Sequence, residues 1–243
     1  MTGLRRIHDA YGQEILAILE GKEAPEIIER DDGYIEAYGG HYLLAPFSKW
    51  PADERQAIRF ARGRVLDVGA GGGRVSLHLQ DKGLDVLAID NSPLAIEVCK
   101  RRGVKEARVF DFAKTNQRLG TFDTVVMYGN NFGLFGSPGR AKRLLRRLHT
   151  MTSADARILG ETLDPHQTTN PDHLAYHRRN RKRGRLAGQL RIRARSRALK
   201  TPWFDYLFVS RTEMREIVKG TGWHVVRTYP PRGPQYIALL EKD

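Results

Sequence analysis

Cysteine is nearly absent from this 243-residue sequence: Cys99 stands alone. One thiol excludes an intramolecular disulfide, a Cys-cluster zinc site and an iron–sulfur cluster. Long apolar runs are also missing, none approaching the ~18 residues of a membrane-spanning helix, so an integral helical membrane protein is excluded. The opening Met1 to Asp9 carries arginines with no apolar stretch behind them, so no secretory signal is expected and the chain reads as a soluble cytoplasmic protein. Internal repeats are lacking, and the single biased tract is rich in arginine. What remains is a globular balance, 40% hydrophobic and 28% charged, with material for one large domain and a small appendage.

Acidic residues are missing from one place in particular. Between Arg178 and Lys200 there are eleven basic residues and no carboxylate, which leaves 30 of the 41 basic residues against all 28 acidic ones elsewhere. The net charge of +13 is therefore a nearly neutral body carrying one basic segment.

Periodicity divides the chain. Tyr11, Ile15, Ile18 and Leu19 recur at helical spacing up to Gly21, after which Asp31-Asp32-Gly33 reads as a tight turn and Tyr38-Gly39-Gly40-His41-Tyr42 as a glycine-hinged aromatic loop. Asp53 is placed to cap a short helix to Ala61. From Gly63 onward, short apolar strands alternate with amphipathic helices. The strands fall at 65–68, 86–90, 108–111, 122–128, 157–163, 224–228 and 235–240, the last two split by Pro230-Pro231-Arg232-Gly233-Pro234 as a hairpin. Ser92-Pro93 and Ser137-Pro138 read as capped helix starts, and Ser210 with Glu213 as a capping box. This alternation predicts an α/β fold, a doubly wound, mostly parallel seven-stranded sheet of Rossmann-like type. An N-terminal helical lid over 1–52 is expected to precede a main domain over 53–243, with a basic β insertion at 165–209 before the last helix.

Chemistry concentrates at Val65-Leu66-Asp67-Val68-Gly69-Ala70-Gly71-Gly72-Gly73-Arg74, an apolar strand running into a glycine-rich turn and a helix. Such a turn lets the backbone approach a ligand closely, and Asp90, 17 residues past Gly73 at the end of the next strand, can accept ribose hydroxyls. From about Gly63 to the C-terminus the sequence resembles the class I S-adenosylmethionine-dependent methyltransferases. Asp67, two residues before the first glycine, matches that family's acidic-x-Gly-x-Gly pattern; a pyrophosphate would be repelled there. The resemblance implies S-adenosyl-L-methionine as cofactor, held by Asp67, Gly69, Ala70, Gly71, Asp90, Asn91, Asp111, Phe112 and Tyr128. Asp111 would take the adenine amino group and Phe112 pack on the ring. It also places the reacting methyl at Tyr128-Gly129-Asn130-Asn131-Phe132.

Direct in-line transfer needs alignment, exclusion of water and, for some acceptors, removal of a proton. Cys99 shares a helical face with Ala95 and Val98 and reads as core, against a cysteine-dependent pyrimidine methyltransferase. An Asn-Pro-Pro-aromatic motif is absent, and no metal is expected, although Glu161 and Asp164 follow the fifth strand. Gly129-Asn130-Asn131-Phe132 is similar to the Gly-Asn-Ser-Phe of glycine N-methyltransferases and departs from it at Asn131. Tyr128 and Asn130 are thus the expected catalytic residues, with Tyr128 alternatively packing beneath the cofactor. Tyr38, His41, Asn131, Arg191 and Arg193 are the expected substrate contacts. His41, His166, His173 and His177 are candidates for a base.

In the insertion, Gln189 to Arg197 alternates, placing Arg191, Arg193, Arg195 and Arg197 on one face and Leu190, Ile192 and Ala194 on the other. Trp203 to Val209 supplies a partner strand. A site for a small anionic acceptor is the first expectation. An RNA methyltransferase reading the insertion's positive charge is the alternative. A charged edge strand, a homodimer contact, and a cofactor-binding protein without turnover complete the alternatives.

Overall fold

In the computed structural model, which describes residues 3–229 and 234–243, the chain begins with α1 (Ala10–Leu19) and a β-hairpin, β1 (Pro25–Arg30) and β2 (Ile35–Gly39). Short 3-10 turns and α2 (Ala52–Ala57) lead to β3 (Arg64–Val68), α3 (Arg74–Asp81), β4 (Asp85–Asp90), α4 (Pro93–Arg101) and β5 (Glu106–Val109). Then come β6 (Phe122–Met127), α5 (Pro138–Thr150), β7 (Thr152–Leu163) and α6 (Pro171–Lys182). After these follow β8 (Gln189–Ser196), β9 (Leu199–Lys200), β10 (Phe204–Leu207), α7 (Arg211–Val218), β11 (Trp223–Tyr229) and β12 (Gln235–Lys242).

Seven strands form the main sheet in the order β5-β4-β3-β6-β7-β12-β11. The first five are parallel, and β12 and β11 add antiparallel pairs at the end. The expected doubly wound sheet is present. Helices α5 and α7 bury Leu144, Leu145, Leu148, Met214 and Ile217 on one face, while α2 and α3 bury Ala57, Val75 and Leu79 in the other cluster. Chain order reverses between β3, whose neighbours are β4 and β6, so a crevice opens at the carboxyl ends of these strands. The cap signals hold. Ser92 accepts from the Ala95 amide, and Ser210 and Glu213 close a reciprocal box.

Elsewhere the structure departs from the periodicity. The segment around Asp31 to Gly33 is the turn of the β1–β2 hairpin, so the N-terminal region contributes strands as well as a helix. Pro51 precedes α2, and Asp53 sits in its first turn. The third parallel strand lies at 106–109, two residues before the expected place, and the fifth starts at Thr152. Of the loop joining β11 to β12, residues 230–233 lie outside the described part of the chain.

A second sheet, ordered β10-β8-β1-β2 with β9 beside β8, joins the N-terminal hairpin to the insertion. β8 pairs with β10, as the alternation suggests, and its other edge takes β1, with Glu29 opposite Arg193. Pairing between segments more than 160 residues apart has no local signature. α6 is polar nearly all round, and its one local marker is Asn170-Pro171, an N-cap whose side chain accepts from the Asp172 amide.

Candidate active site

The turn after β3 is built from inside. Gly69 and Gly71 have φ of +70° and +52°, conformations closed to most side chains. Their amides are already spent: Gly69 and Ala70 donate to the Ile89 carbonyl at 2.9 and 3.1 Å, and Gly71 donates to Asp90 at 3.0 Å. These N–H groups are therefore closed to a phosphate, which needs open amides. Asp90 also accepts from the Ser92 amide at 2.9 Å, and burial pushes its carboxyl up to about 6 despite the amides that oppose the shift. Asp67 is buried and accepts the Ser76 hydroxyl at 2.6 Å, holding the start of α3; burial pushes it up to about 6 as well. Beneath the turn lies Cys99, fully buried, its thiol donating to the Gly71 carbonyl.

The N-terminal segment roofs this turn. A single carboxylate, Asp9, accepts from Gly12 at 3.1 Å and from Leu94 at 2.9 Å, capping α1 and tying it to the start of α4. The Leu4 amide donates to the Asn91 carbonyl at 2.7 Å. A Cβ on Gly71 would stand 3.5 Å from the Tyr11 hydroxyl, which places α1 directly over the loop. Arg102 clasps both parts, donating to the carbonyls of Gly72 on the loop and Leu44 on the lid. Gly40 has a buried backbone, where a Cβ would collide with the Ala24 carbonyl at 2.6 Å. Beyond β5, Asp111 accepts from the Ala113 amide and Phe112 packs edge-on against Phe135 at 5.4 Å.

At the end of β6, Gly129 and Asn130 both adopt positive φ, +71° and +62°, a pair of conformations that glycine and asparagine tolerate best. Glu161 accepts the Gly129 amide at 2.6 Å. Tyr128 turns under the strand end, buried, with its hydroxyl donated to the Glu54 carbonyl and its ring 6.2 Å from Trp50. Asn131 donates to the carbonyls of Val68 and Gly69 at 3.1 and 2.9 Å, so its amide holds the glycine turn. Asn130 differs: its side-chain oxygen is buried without a partner, while its backbone carbonyl accepts the Tyr206 hydroxyl at 2.7 Å.

A buried ion network supports this region. Arg74, the first residue of α3, forms two bonds to Glu54 at 2.5 and 2.8 Å and lies over the Trp50 ring. Burial and the nearby Glu54 raise Glu161 to about 7.

The arginines expected to hold an anion are engaged elsewhere. Arg193 makes two bonds to Glu29 and stacks on Trp203, and Arg191 pairs with Asp205. These positions alternate along their strands with Glu26, Ile192 and Tyr206, and Tyr206 faces Asn130; pleat parity therefore puts Arg191 and Arg193 on the outer face. Tyr38 bonds Glu36, and both Tyr38 and His41 are exposed. His166 lies against Glu213, His173 against Thr168, and His177 is buried in α6 with its pKa pushed down to about 4 by burial.

The crevice between roof and core instead gathers Tyr11 and Glu14 from α1, Glu26 from β1, Tyr42, and Tyr206 from β10, which interact electrostatically with one another and, through Tyr11, with Asp90. Tyr42 lies in the aromatic loop of the lid expected from sequence, whereas Tyr11, Glu14, Glu26 and Tyr206 carried no sequence signal as site residues. Glu14 does break the apolar face of α1, and a carboxylate there is the one local clue.

Residues 65–155 match the family described as "Methyltransferase domain". A putative methyltransferase of Geobacillus sp. (strain WCH70) is 21% identical over 138 residues, 54% of this chain. That match covers 55% of the relative, so the chain spans about half the length of the curated protein it matches. A SAM-dependent methyltransferase from Bacteroides fragilis, crystallised with S-adenosyl-L-homocysteine, is similar over 99% of this chain and 98% of its own, at 26% identity and a TM-score of 0.84. The CcbJ methyltransferase of Streptomyces caelestis shares the fold at 15% identity and a TM-score of 0.60, over 81% of this chain and 94% of its own.

Proposed function

We propose that this S-adenosylmethionine-dependent methyltransferase of class I fold passes its methyl group directly to a small acceptor held between Asn130 and the roof formed by α1 and the second sheet. The donor set fits a sulfonium nucleoside. Loop amides from Gly69 to Gly71 are closed to phosphate, and the buried Asn130 side-chain oxygen has no partner within the protein. Asp90 would hold the ribose, Asn91, Asp111 and Phe112 the adenine, and the backbone carbonyls of Gly69, Ala70 and Gly71 the α-amino group of the amino-acid end. Asp67 acts from beneath, by holding α3 through Ser76. When bound, the cofactor supplies a methyl group already activated by positively charged sulfur.

The chain's own residues then position and enclose. The observation that carries the reading is the bond from Tyr206 to the Asn130 carbonyl, which seats the second sheet on the strand end beside the glycine turn. Enclosure keeps water from the reacting atoms, and the Asn130 amide orients the acceptor. Tyr128 supports that strand end through Glu54, and Tyr38 lies within electrostatic reach of Glu26. Titration calorimetry with S-adenosyl-L-homocysteine on the wild type and Asp90→Ala, followed by a product-release assay on a metabolite panel, tests the reading. Binding lost in the variant and turnover on a small metabolite are expected; a wild type that ignores the compound refutes it.

RNA as acceptor retains one supporting observation. Arg178, Arg181, Lys182, Arg183 and Arg185, at the end of α6 and in the following turn, form no ion pair among the described residues. Affinity for a mixed RNA pool that falls steeply with salt would favour that acceptor.

A further inference from the structure

Glu14 is 1% exposed, and neither of its carboxylate oxygens has a hydrogen-bond partner. A buried acid left this way is unfavourable and points to a group that the protein itself does not provide. Across from it, Glu26 accepts the Tyr42 hydroxyl. Among the described residues neither carboxylate forms an ion pair with lysine or arginine, although the same sheet carries arginines on its outer face. Burial and the charge of Glu26 push Glu14 up to about 8, and burial raises Glu26. The hydroxyls of Tyr11, Tyr42 and Tyr206 lie within electrostatic reach of this pair. Carboxylates and phenol oxygens complement one kind of ligand, a compact cation with N–H donors.

Resting on the methyltransferase reading above, we infer that the acceptor is a small protonatable amine seated between Glu14 and Glu26, and that this pair of carboxylates takes the proton its nitrogen must shed. Loss of that proton frees the nitrogen lone pair. As the N–C bond forms, the C–S bond breaks with its electrons remaining on sulfur, and the nitrogen carries the positive charge that sulfur loses. The pair serves the acceptor's amine and not the cofactor's own, because Glu26 stands on the roof beside Tyr42 and within electrostatic reach of Tyr206, which bonds Asn130. The cofactor's side of the crevice is built on the core from Asp90 and the glycine turn.

Benzylamine, benzyl alcohol and benzoate, three probes of similar shape and different charge, are titrated into the full chain loaded with S-adenosyl-L-homocysteine and followed by ligand-observed NMR. Benzylamine alone is expected to bind. Glu14→Gln and Glu26→Gln each should weaken it by about ten- to a hundredfold, as for loss of a charge-assisted hydrogen bond. Both variants should keep their affinity for S-adenosyl-L-homocysteine, and Glu14→Gln should melt close to wild type, because a carboxyl pushed up to about 8 is already largely neutral at pH 7. Preference for benzoate, no binding of benzylamine, or equal amine affinity in the variants overturns the inference. So does a loss of S-adenosyl-L-homocysteine affinity as large as that for the amine. A wild type that takes benzylamine but not S-adenosyl-L-homocysteine would leave the amine site standing and sink the methyltransferase reading instead.

Discussion

Substituting Glu54 by glutamine tests the ion network beneath the active site. Glu54 and Arg74 are nearly buried, their side chains 5% and 10% exposed, and two bonds of 2.8 and 2.5 Å join them. Removing one partner of such a pair typically costs about 3–5 kcal/mol, since a buried charge is left behind. Glutamine restores one neutral hydrogen bond worth about 1 kcal/mol, so a loss of about 2–4 kcal/mol is expected. In a chain of this size each kcal/mol moves the melting temperature by about 2–4 °C, which predicts a fall of about 4–16 °C. Glu161 sets the upper limit. Its carboxyl is raised partly by the charge of Glu54, so in the variant it ionises more readily and offers Arg74 a replacement anion. Glu161→Gln alone should cost little, because an amide oxygen can still accept from Gly129. The double variant, which strips Arg74 of both acids, should lose more than the sum of the singles by about 0.5–3 kcal/mol. Urea and thermal melts of the four proteins decide the matter. A Glu54→Gln variant that melts within about 2 °C of wild type, or strict additivity, refutes the argument that Arg74 depends on this pair.

Asn131→Ala leaves the carbonyls of Val68 and Gly69 without their donor, so affinity for S-adenosyl-L-homocysteine should fall while the acceptor's KM stays put; calorimetry with steady-state kinetics separates the two. Arg193→Ala should lower stability by about 1–3 kcal/mol, as for a lost charge-assisted bond, and leave the acceptor's KM unchanged, whereas an arginine gripping substrate would raise it. Arg102→Ala opens the clasp between Gly72 and Leu44, and hydrogen exchange should quicken around residues 40–45 with global stability largely retained. Folded Asp67 and Asp90 titrate at about 6, above their ordinary 3.8, so between these values the folded state holds more protons than the unfolded. Their contribution is complete below pH 4 and is lost as pH rises to 6, by about 1.4 kcal/mol per unit for each group. Stability of Asp90→Asn measured over that range should show a correspondingly smaller slope; an unchanged slope would contradict the burial argument.

Local chemistry made part of this protein legible. Each helix of the main domain that begins with serine carries its cap in sequence, and the alternation of apolar runs with amphipathic segments specifies a parallel sheet because each strand needs cover on both faces. Glycines at 69 and 71 were readable because positive φ is a property of single residues. Asp90 was readable because strand length and turn fix its place at a carboxyl end.

Burial, pairing and direction were decided in three dimensions. Alternation at Arg191 and Arg193 identified one strand face, but only the pairing of β8 with β1 turned that face outward and gave Arg193 its Glu29. Asn131 stood in the expected motif, yet its amide was claimed by two backbone carbonyls, at the end of β3 and in the turn after it, more than 60 residues earlier. Glu14 and Glu26 lie twelve residues apart, on a helix and a strand, and neither pattern announces that they face one crevice. Their meeting comes from long-range strand pairing and from α1 settling on α4 through Asp9, contacts whose free energy no single segment carries.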